Sequence, residues 1–521
     1  MRNKNTLRIL FVLLIPLVLF STNLDGTWIL DDHYQVAQNP YIRSFEYLPR
    51  ILTTRLWQST SMESQGSDIF RPVFLLSYMV DYHLFGANPF WFHLVNNLLH
   101  AINCLLLFTL TRKFLTSGTA LFATLLFAVH PIGVEAVTWI AARTDLLAAF
   151  FALANVHMIV RILDRSKKPG VGEWILFALT IPFAFFSKEI SVLVPFLTIV
   201  AVAATDDDWK AQKRVVAGLF GTAGVLSAGA LWFRQSMIGS GVAERFSLDN
   251  LKNTSELLKR FLFLFVVPAD TDFFNAYPYV PFHWKNDLPL IALFAIAIAF
   301  VVWRWRRNRA FLLGVALFLA PLIPVSLAID RLGLLAERYF YLPLAGFSLA
   351  LAVGSQALLQ KNRKIVVAAV SVWLLLLSGV AVLRNRQWHD EVRLYGSSIA
   401  RHPDNYIPHF YLGWHYYRTG EKEAEIRCYY ETLRRNPTQI IALNNLGVRL
   451  IERDRHKEAE ELLRRALEVD PTRAKTYYNL GYLRETEKNF DSANTWYRKA
   501  LELDPSYEFA KAALARMAAA R

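Results

Sequence analysis

The chain has 521 residues, of which 54% are hydrophobic and only 19% are charged, and its mean hydropathy is +0.26. Soluble globular proteins carry about 25% charged residues, so this composition indicates a membrane protein and excludes both a large soluble enzyme and a disordered chain. The formal net charge of +14 does not indicate a nucleic-acid partner, because the basic residues form short clusters between apolar runs, as in membrane proteins.

The apolar runs predict an all-α membrane helix bundle over residues 1–388. The first run, residues 9–20, follows Arg2, Lys4 and Arg8 and lacks a small-residue cleavage site, so we interpret it as an uncleaved first span. The other candidate spans are residues 89–111, 118–140, 145–163, 173–187, 189–204, 212–232, 288–303, 310–328, 339–357 and 365–383. Together these runs predict about eleven spans.

Lysine and arginine predict the orientation of these spans. If the chain starts in the cytoplasm, the cytoplasmic links are residues 112–113, 161–168, 210–214, 304–309 and 361–364, and all of them are basic. This pattern predicts a multi-pass protein of the inner (cytoplasmic) membrane. The two long links, residues 22–88 and 233–287, and everything after residue 384 then lie on the periplasmic side.

The C-terminal region is an internal repeat. Pro437, Pro471 and Pro505 are spaced by 34 residues, and Leu-Gly pairs recur at 412–413, 446–447 and 480–481. This period is that of tetratricopeptide repeats, which stack as an α-solenoid. We predict a linker over 389–403, then three repeats and a capping helix over 404–521. Glu425 and Thr432 depart from the pattern, because alanine is usual at both positions.

Ionisable residues beside apolar spans are costly, so they are candidates for function. Asp31 and Asp32 offer a general base or ligands for a divalent cation, or they form a solvated turn. His93, Asn96 and His100 share one helix face, which suits a metal site or hydrogen bonding between helices.

Mixed-sign groups recur at the outer ends of other predicted spans. Each couple alone suits a salt bridge, but together they place cations and carboxylates at one depth. Arg71, which opens a predicted surface helix, suits either a phosphate or lipid headgroups. The remaining members of this set are His130, Glu135, Arg143, Asp145, Lys188, Glu189, Glu337, Arg338 and Tyr341.

An ordered series of motifs resembles the transmembrane and tetratricopeptide-repeat-containing O-mannosyltransferases, in a bacterial-looking version, within the GT-C glycosyltransferase class. The series is Asp31-Asp32, Asn39-Pro40, Arg71-Pro72, residues 88–100, residues 127–131 with Glu135, Arg143-x-Asp145, Ser187-Lys188-Glu189 and Glu337-Arg338-Tyr339-x-Tyr341. Animal members carry more repeats than the three found here, which leaves acceptor recognition open.

The resemblance implies transfer of mannose or a similar sugar from a polyprenyl monophosphate (dolichyl or undecaprenyl type) to a hydroxyl of a protein acceptor, with inversion. Asp32, or else Asp31, would act as the base, and the tetratricopeptide repeats would bind the acceptor. Arg338, Lys188, Arg143 and Arg71 would bind the donor phosphate. The resemblance implies no certain cofactor; a divalent cation at Asp31 and Asp32 stays open.

Two other functions fit the same sequence. A ligase or polymerase that uses polyprenyl diphosphate-linked glycans would share the outer site but transfer preassembled chains. A membrane scaffold would use its repeats alone, and the polar groups gathered at one depth would then have no purpose.

Overall fold

The computed structural model describes residues 2–56, 69–164, 166, 168–203, 212–238, 264–265, 268, 292, 299, 303–328 and 336–519. The elements in these ranges are helices, which confirms the all-α prediction. The chain divides into two compact units, Met1–Asp390 and Glu391–Arg521.

The first unit is a bundle of apolar helices. Its main described helices are α1 (Arg2–Phe20), α2 (Pro72–Phe85), α3 (Pro89–Thr111), α4 (Ser117–Val129), α5 (Val134–Thr138), α6 (Arg143–Ile162), α7 (Val171–Ser187), α8 (Val194–Ala203), α9 (Lys213–Ile238), α10 (Arg309–Ala328), α11 (Tyr341–Lys361) and α12 (Arg363–Gln387). Short helical turns between them cover Ser21–Asn23, His33–Ala37, Tyr41–Arg43, Phe45–Tyr47, Leu48–Ile51, Pro131–Gly133, Ile140–Ala142, Glu189–Leu193 and Glu337–Phe340.

Several of these helices are long and apolar enough to cross a membrane, which identifies a multi-pass membrane protein. Among the described residues, five such helices occur: Asn5–Asn23, Pro89–Thr111, Ile140–Ile162, Lys213–Ile238 and Arg363–Gln387. Helices α4 and Pro131–Thr138, bent by 51° at the break between them, form a sixth span if they are counted together. The number of about eleven therefore stays a prediction. The candidate span 288–303 and most of the link 233–287 lie outside the described residues.

The start of α1 and two of the basic links, those with Arg112 and Arg161, lie at one end of the bundle. The Arg112 guanidinium donates to Asn5 Oδ1 at 3.2 Å, next to the start of α1, and Arg161 pairs with Glu173 at 3.3 Å. Arg112 follows the last residue of α3, whereas Asn96 lies 16 residues earlier, about 24 Å along the helix. The polar residues near the start of α3 therefore lie far from the basic end.

The first long link folds back onto the start of α3. Its side chains, including those of α2, form an apolar cluster with Phe92 and Ile140. The Tyr78 hydroxyl of α2 donates to the Ile140 carbonyl oxygen at 2.6 Å. This contact fixes α2 beside the turn that precedes α6, and the Ala141 N–H of the same turn donates to Asp32 at 2.8 Å. The buried members of the cluster are Val36, Ile42, Ile51, Leu56, Phe74, Leu75, Tyr78, Met79, Phe92 and Ile140.

The second unit is a series of paired helices, as the repeat period predicts. Its helices are α13 (Glu391–Arg401), α14 (Tyr406–Thr419), α15 (Lys422–Arg435), α16 (Ile440–Ile451), α17 (His456–Val469), α18 (Ala474–Thr486), α19 (Phe490–Leu503) and α20 (Glu508–Ala519). Residues 391–401, which we expected to form a linker, are the helix α13.

The Leu-Gly pairs mark the closest helix approach in each repeat. A Cβ on Gly413 would lie 2.8 Å from the Tyr429 ring, and one on Gly481 would lie 2.6 Å from the Tyr497 ring. The first repeat accommodates its two unusual residues by hydrogen bonding. Buried Glu425 accepts from Arg449 Nε at 2.7 Å, and the Thr432 hydroxyl donates to the Cys428 carbonyl oxygen at 2.8 Å.

Candidate active site

The two adjacent aspartates occupy different environments. The Asp32 side chain is fully buried, and its oxygens accept from the backbone N–H groups of Ile29 at 3.2 Å and Ala141 at 2.8 Å. Asp32 therefore ties the first link to the turn before α6.

Asp31 is half-buried, and its side chain accepts one long hydrogen bond, from Gln35 Nε2 at 3.5 Å. Burial raises the pKa of Asp31 to about 6, and the Arg338 guanidinium opposes this rise. Because a carboxylate with a pKa near neutrality can exchange a proton with a substrate, Asp31 stays a candidate for the general base.

Arg338, in the turn before α11, lies within electrostatic reach of this carboxylate. Its guanidinium pairs with Glu135 Oε1, and its backbone N–H donates to Glu135 Oε2 at 3.3 Å. The guanidinium carbon also lies 4.8 Å from the Trp139 ring centroid. The side chain retains 21% exposure, whereas Glu135 is fully buried. Arg338 is thus anchored on one side and open on the other.

Lys188 and Asp145 form a second ion pair of the same cluster. Lys188 directly follows α7, and Asp145 lies in the first turn of α6. The Lys188 Nζ atom donates to both Asp145 carboxylate oxygens, at 2.6 and 2.7 Å. Burial lowers the pKa of Lys188 to about 8; Asp145 opposes this change, and the nearby guanidinium groups of Arg71 and Arg338 add to it. This ammonium group therefore lies within electrostatic reach of both arginines.

Arg71 and Glu189 form the third pair. The guanidinium binds the carboxylate in a two-pronged contact at 3.0 and 3.2 Å. Arg234 also lies within electrostatic reach of the Glu189 carboxylate. Arg234, near the end of α9, is a cation that the sequence analysis missed; its signal is a charge inside a long apolar run.

Arg143 does not join the other three cations. Its side chain is fully buried and donates to Asn96 Oδ1 at 2.7 Å and to the Phe92 carbonyl oxygen at 3.0 Å. It also pairs with Asp81 at 2.5 Å, a carboxylate that the sequence analysis did not select. Since these protein acceptors surround its guanidinium, Arg143 braces α2, α3 and α6 against one another.

Several of the expected supporting residues also make contacts between helices. His100 contacts the Tyr341 hydroxyl at 2.7 Å and the Ala128 carbonyl oxygen at 3.1 Å. Glu337 pairs with Arg384 of α12 at 2.8 Å. These residues hold α3, α4, α11 and α12 together around the cluster.

His130 and His93 lie near the same helix ends. His130 Nδ1 accepts from the Ile132 N–H at 3.2 Å and so caps the turn that precedes α5. His93 is fully buried, 3.1 Å from the Cβ position of Gly26. Across the described residues, no group of three or more His, Cys, Asp or Glu side chains has metal-binding geometry.

Known protein families match parts of both units. A family model described as dolichyl-phosphate-mannose-protein mannosyltransferase matches residues 72–232, and tetratricopeptide-repeat models match residues 376–440 and 438–506. The first of these ranges contains Arg71's neighbour Pro72 and the Asp145, Lys188 and Glu189 positions of the cluster.

Curated relatives match across most of the chain. Protein O-mannosyl-transferase TMTC4 of Mus musculus is 28% identical over 462 residues, which cover 77% of this chain and 62% of the relative. Protein O-mannosyl-transferase F38B6.6 of Caenorhabditis elegans is 26% identical over 434 residues, or 79% and 60% of the two chains. The chain thus spans about three-fifths of the length of these relatives.

A solved structure also matches, at a lower level. The apo oligosaccharyltransferase of Archaeoglobus fulgidus aligns with a TM-score of 0.40 and 14% identity over 73% of this chain and 55% of the other; this similarity is too low to relate individual elements. The relatives and the family models together identify the chain as a homologue of the transmembrane and tetratricopeptide-repeat-containing protein O-mannosyltransferases.

Proposed function

We propose that this protein is a membrane glycosyltransferase of the GT-C type. It transfers mannose or a similar sugar from a polyprenyl monophosphate donor to a hydroxyl group of a protein acceptor, on the periplasmic side of the inner membrane. The observation that carries the proposal is the position of Asp31: a half-buried carboxylate with a pKa of about 6 beside Arg338, at the edge of a cluster that also holds Lys188 and Arg71.

Asp31 is the proton acceptor in this proposal, and Asp32 is a positioning residue. Asp32 is less suited to the role, because its oxygens already accept backbone hydrogen bonds from Ile29 and Ala141. Asp31 accepts the proton of the acceptor hydroxyl while that oxygen attacks the anomeric carbon. The bond between this carbon and the phosphate oxygen breaks, and attack from the opposite face inverts the anomeric centre.

The cations stabilise the leaving group. The departing polyprenyl phosphate gains one negative charge, and a positive site already in place lowers the energy of that charge without reorganisation. Arg338 makes the direct contact because it is the most exposed of the three, at 21% against 15% for Arg71 and 3% for Lys188. Arg143, enclosed by Asp81, Asn96 and Phe92, has no part in phosphate binding.

The membrane bundle and the repeats divide the substrates between them. The polyprenyl chain of the donor stays in the bilayer, which explains why the polar cluster lies at helix ends beside apolar spans. Stacked tetratricopeptide repeats bind extended protein segments, and here they present the acceptor protein.

The decisive experiment compares intact masses of envelope proteins from cells that carry the wild type, Asp31→Asn or Asp32→Asn at matched membrane levels. We expect Asp31→Asn to remove a single-sugar mass from at least one protein, because amide nitrogen cannot accept the proton. In cells that carry Asp32→Asn at the wild-type level of folded protein, we expect part of the single-sugar modification to remain.

Other outcomes would redirect the proposal. Loss of an oligosaccharide mass would identify a ligase that acts on diphosphate-linked glycans. An unchanged set of masses in Asp31→Asn, combined with a defect on deletion of residues 404–521, would instead identify a scaffold.

A further inference from the structure

One aromatic ring lies between two cations of the cluster. The Lys188 Nζ atom is 4.6 Å from the centroid of the Tyr339 ring, and the Arg338 guanidinium carbon is 5.2 Å from the same centroid. Both distances are within the range of about 6 Å in which a cation is attracted by an aromatic face. The ring therefore touches an ammonium group from α7 and a guanidinium group from the turn before α11.

The two cations repel each other, so their proximity needs an explanation. Each pairs with its own carboxylate, Asp145 for Lys188 and Glu135 for Arg338; these carboxylates lie on different helices, and Asp145 also attracts Arg338 from a longer distance. The Tyr339 ring is the shared contact. Its negative face offsets part of the repulsion without adding a formal charge, which leaves both cations able to attract an anion.

We propose that Tyr339 is the positioning residue of the donor-phosphate site: its ring holds the Lys188 ammonium and the Arg338 guanidinium together so that one phosphate group can interact with both. This inference rests on the proposed function, since the phosphate belongs to the polyprenyl donor. Tyr339 itself does not contact the reacting atoms.

The ring, and not the hydroxyl, carries this role. Within the described residues the Tyr339 hydroxyl makes no hydrogen bond, whereas the hydroxyl of Tyr341, two positions later, contacts His100 at 2.7 Å and accepts from Asn103 at 3.3 Å. Tyr341 is thus a hydrogen-bonding residue of the helix interface, and Tyr339 is an aromatic surface for cations. The Tyr→Phe change should therefore have different effects at the two positions. At Tyr339 it keeps the ring that contacts the cations, whereas at Tyr341 it removes the hydroxyl that contacts His100 and Asn103.

The test measures binding of undecaprenyl phosphate to the full-length protein in lipid nanodiscs. Tyr339→Phe keeps the ring, and we expect its Kd to stay within about twofold of the wild type. Tyr339→Leu and Tyr339→Met remove the ring, and we expect Kd to rise about tenfold, the order of a partly buried cation–π contact. If the leucine variant does not fold, the methionine variant, which better fills the space, decides the result.

The matched control, Tyr47→Leu, removes an aromatic–arginine contact that lies outside the charged cluster. The Arg50 guanidinium lies 5.8 Å from the Tyr47 ring, outside the cluster, so Tyr47→Leu should leave Kd unchanged. Equal binding by wild type, Tyr339→Leu and Tyr339→Met would overturn the inference, and so would equal weakening in Tyr339→Phe and Tyr339→Leu. Absence of binding by the wild type would count against the proposed function, which separates the two failures.

Discussion

The two units of the chain use ion pairs in opposite ways. In the first unit the pairs of the charged cluster join distant parts of the sequence: Arg143 and Asp81 are 62 residues apart, and Arg338 and Glu135 are 203 apart. In the second unit many pairs are local, such as Arg464 with Glu460 one helical turn earlier. Both side chains of the Arg143–Asp81 pair are buried, whereas Arg464 is 59% exposed.

The difference matters because burying a charge costs hydration free energy, whereas an exposed charge keeps most of its hydration. An ion taken from water into a protein interior loses several kcal/mol of hydration, about as much as its partner returns. An exposed pair loses little and gains about 0–1 kcal/mol. The five buried or half-buried pairs found among the described residues at one end of an apolar bundle are therefore hard to explain by stability alone. These pairs are better explained if the proposed site needs charged side chains at that end of the bundle.

The largest expected effect comes from breaking a buried pair. Asp81→Asn leaves the fully buried Arg143 guanidinium without its counter-charge, and we expect a loss of about 3–5 kcal/mol in the free energy of unfolding. The thermal unfolding midpoint in detergent measures it. The double variant Asp81→Asn/Arg143→Met removes both charges and should recover most of the loss, whereas equal midpoints for Asp81→Asn and the wild type would show that this pair is solvated.

A smaller loss in the free energy of unfolding is expected for a substitution in the repeats that disturbs packing and not charge. Gly481→Ala places a Cβ 2.6 Å from the Tyr497 ring, and overpacking of this kind costs about 1–3 kcal/mol. Gly396→Ala, inside α13, is the matched control because its Cβ meets nothing within 4 Å; it should stabilise by about 0.5–1 kcal/mol. Thermal unfolding should therefore shift in opposite directions, and a lower midpoint for both variants would contradict this explanation.

The pH dependence of transfer tests the first unit, because Asp31 and Lys188, the two groups whose protonation the proposed mechanism needs, both belong to it. Asp31, with a pKa of about 6, must be ionised to accept a proton, so kcat/KM should fall about tenfold per pH unit below pH 6. Lys188, with a pKa of about 8, must be protonated to attract the donor phosphate, so kcat/KM should also fall above pH 8.

A variant can show which residue causes the fall of kcat/KM at high pH (the alkaline limb) and which causes the fall at low pH (the acid limb). Lys188→Arg keeps a cation that does not titrate in this range, and we expect it to remove the alkaline limb while the acid limb stays. A profile that remains flat down to pH 5 in the wild type would exclude Asp31 as the base.

The sequence predicted the helices better than the contacts of the site. The apolar run 89–111 coincides with α3 (Pro89–Thr111), and the 34-residue period located the helix pairs of the second unit, because periodicity and composition are local properties of the chain. The break at Pro131 was missed: residues 118–140 read as one run, yet proline there ends α4 and the chain turns by 51° into the next helix.

The roles of individual charges could not be predicted, because they depend on partners far away in the sequence. Arg143 and Arg338 both lie at the outer end of a predicted span, yet the first is enclosed by acceptors from α2 and α3 and the second keeps 21% exposure. Asp31 and Asp32 are adjacent, and only the fold decides which of them meets the Ala141 N–H. Which of them accepts the proton stays a prediction that the mass comparison tests.

The smallest expected effect is that of an exposed pair in the repeats. Arg464→Ala removes the local contact with Glu460, which Arg484 also holds at 2.5 Å from a neighbouring helix. Since a second cation remains and the first is exposed to water, we expect a change of only about 0.3 kcal/mol in the free energy of unfolding. High salt should remove even this difference. A loss comparable with that of Asp81→Asn would mean that charge stabilises both units in the same way, and the distinction between them would then fail.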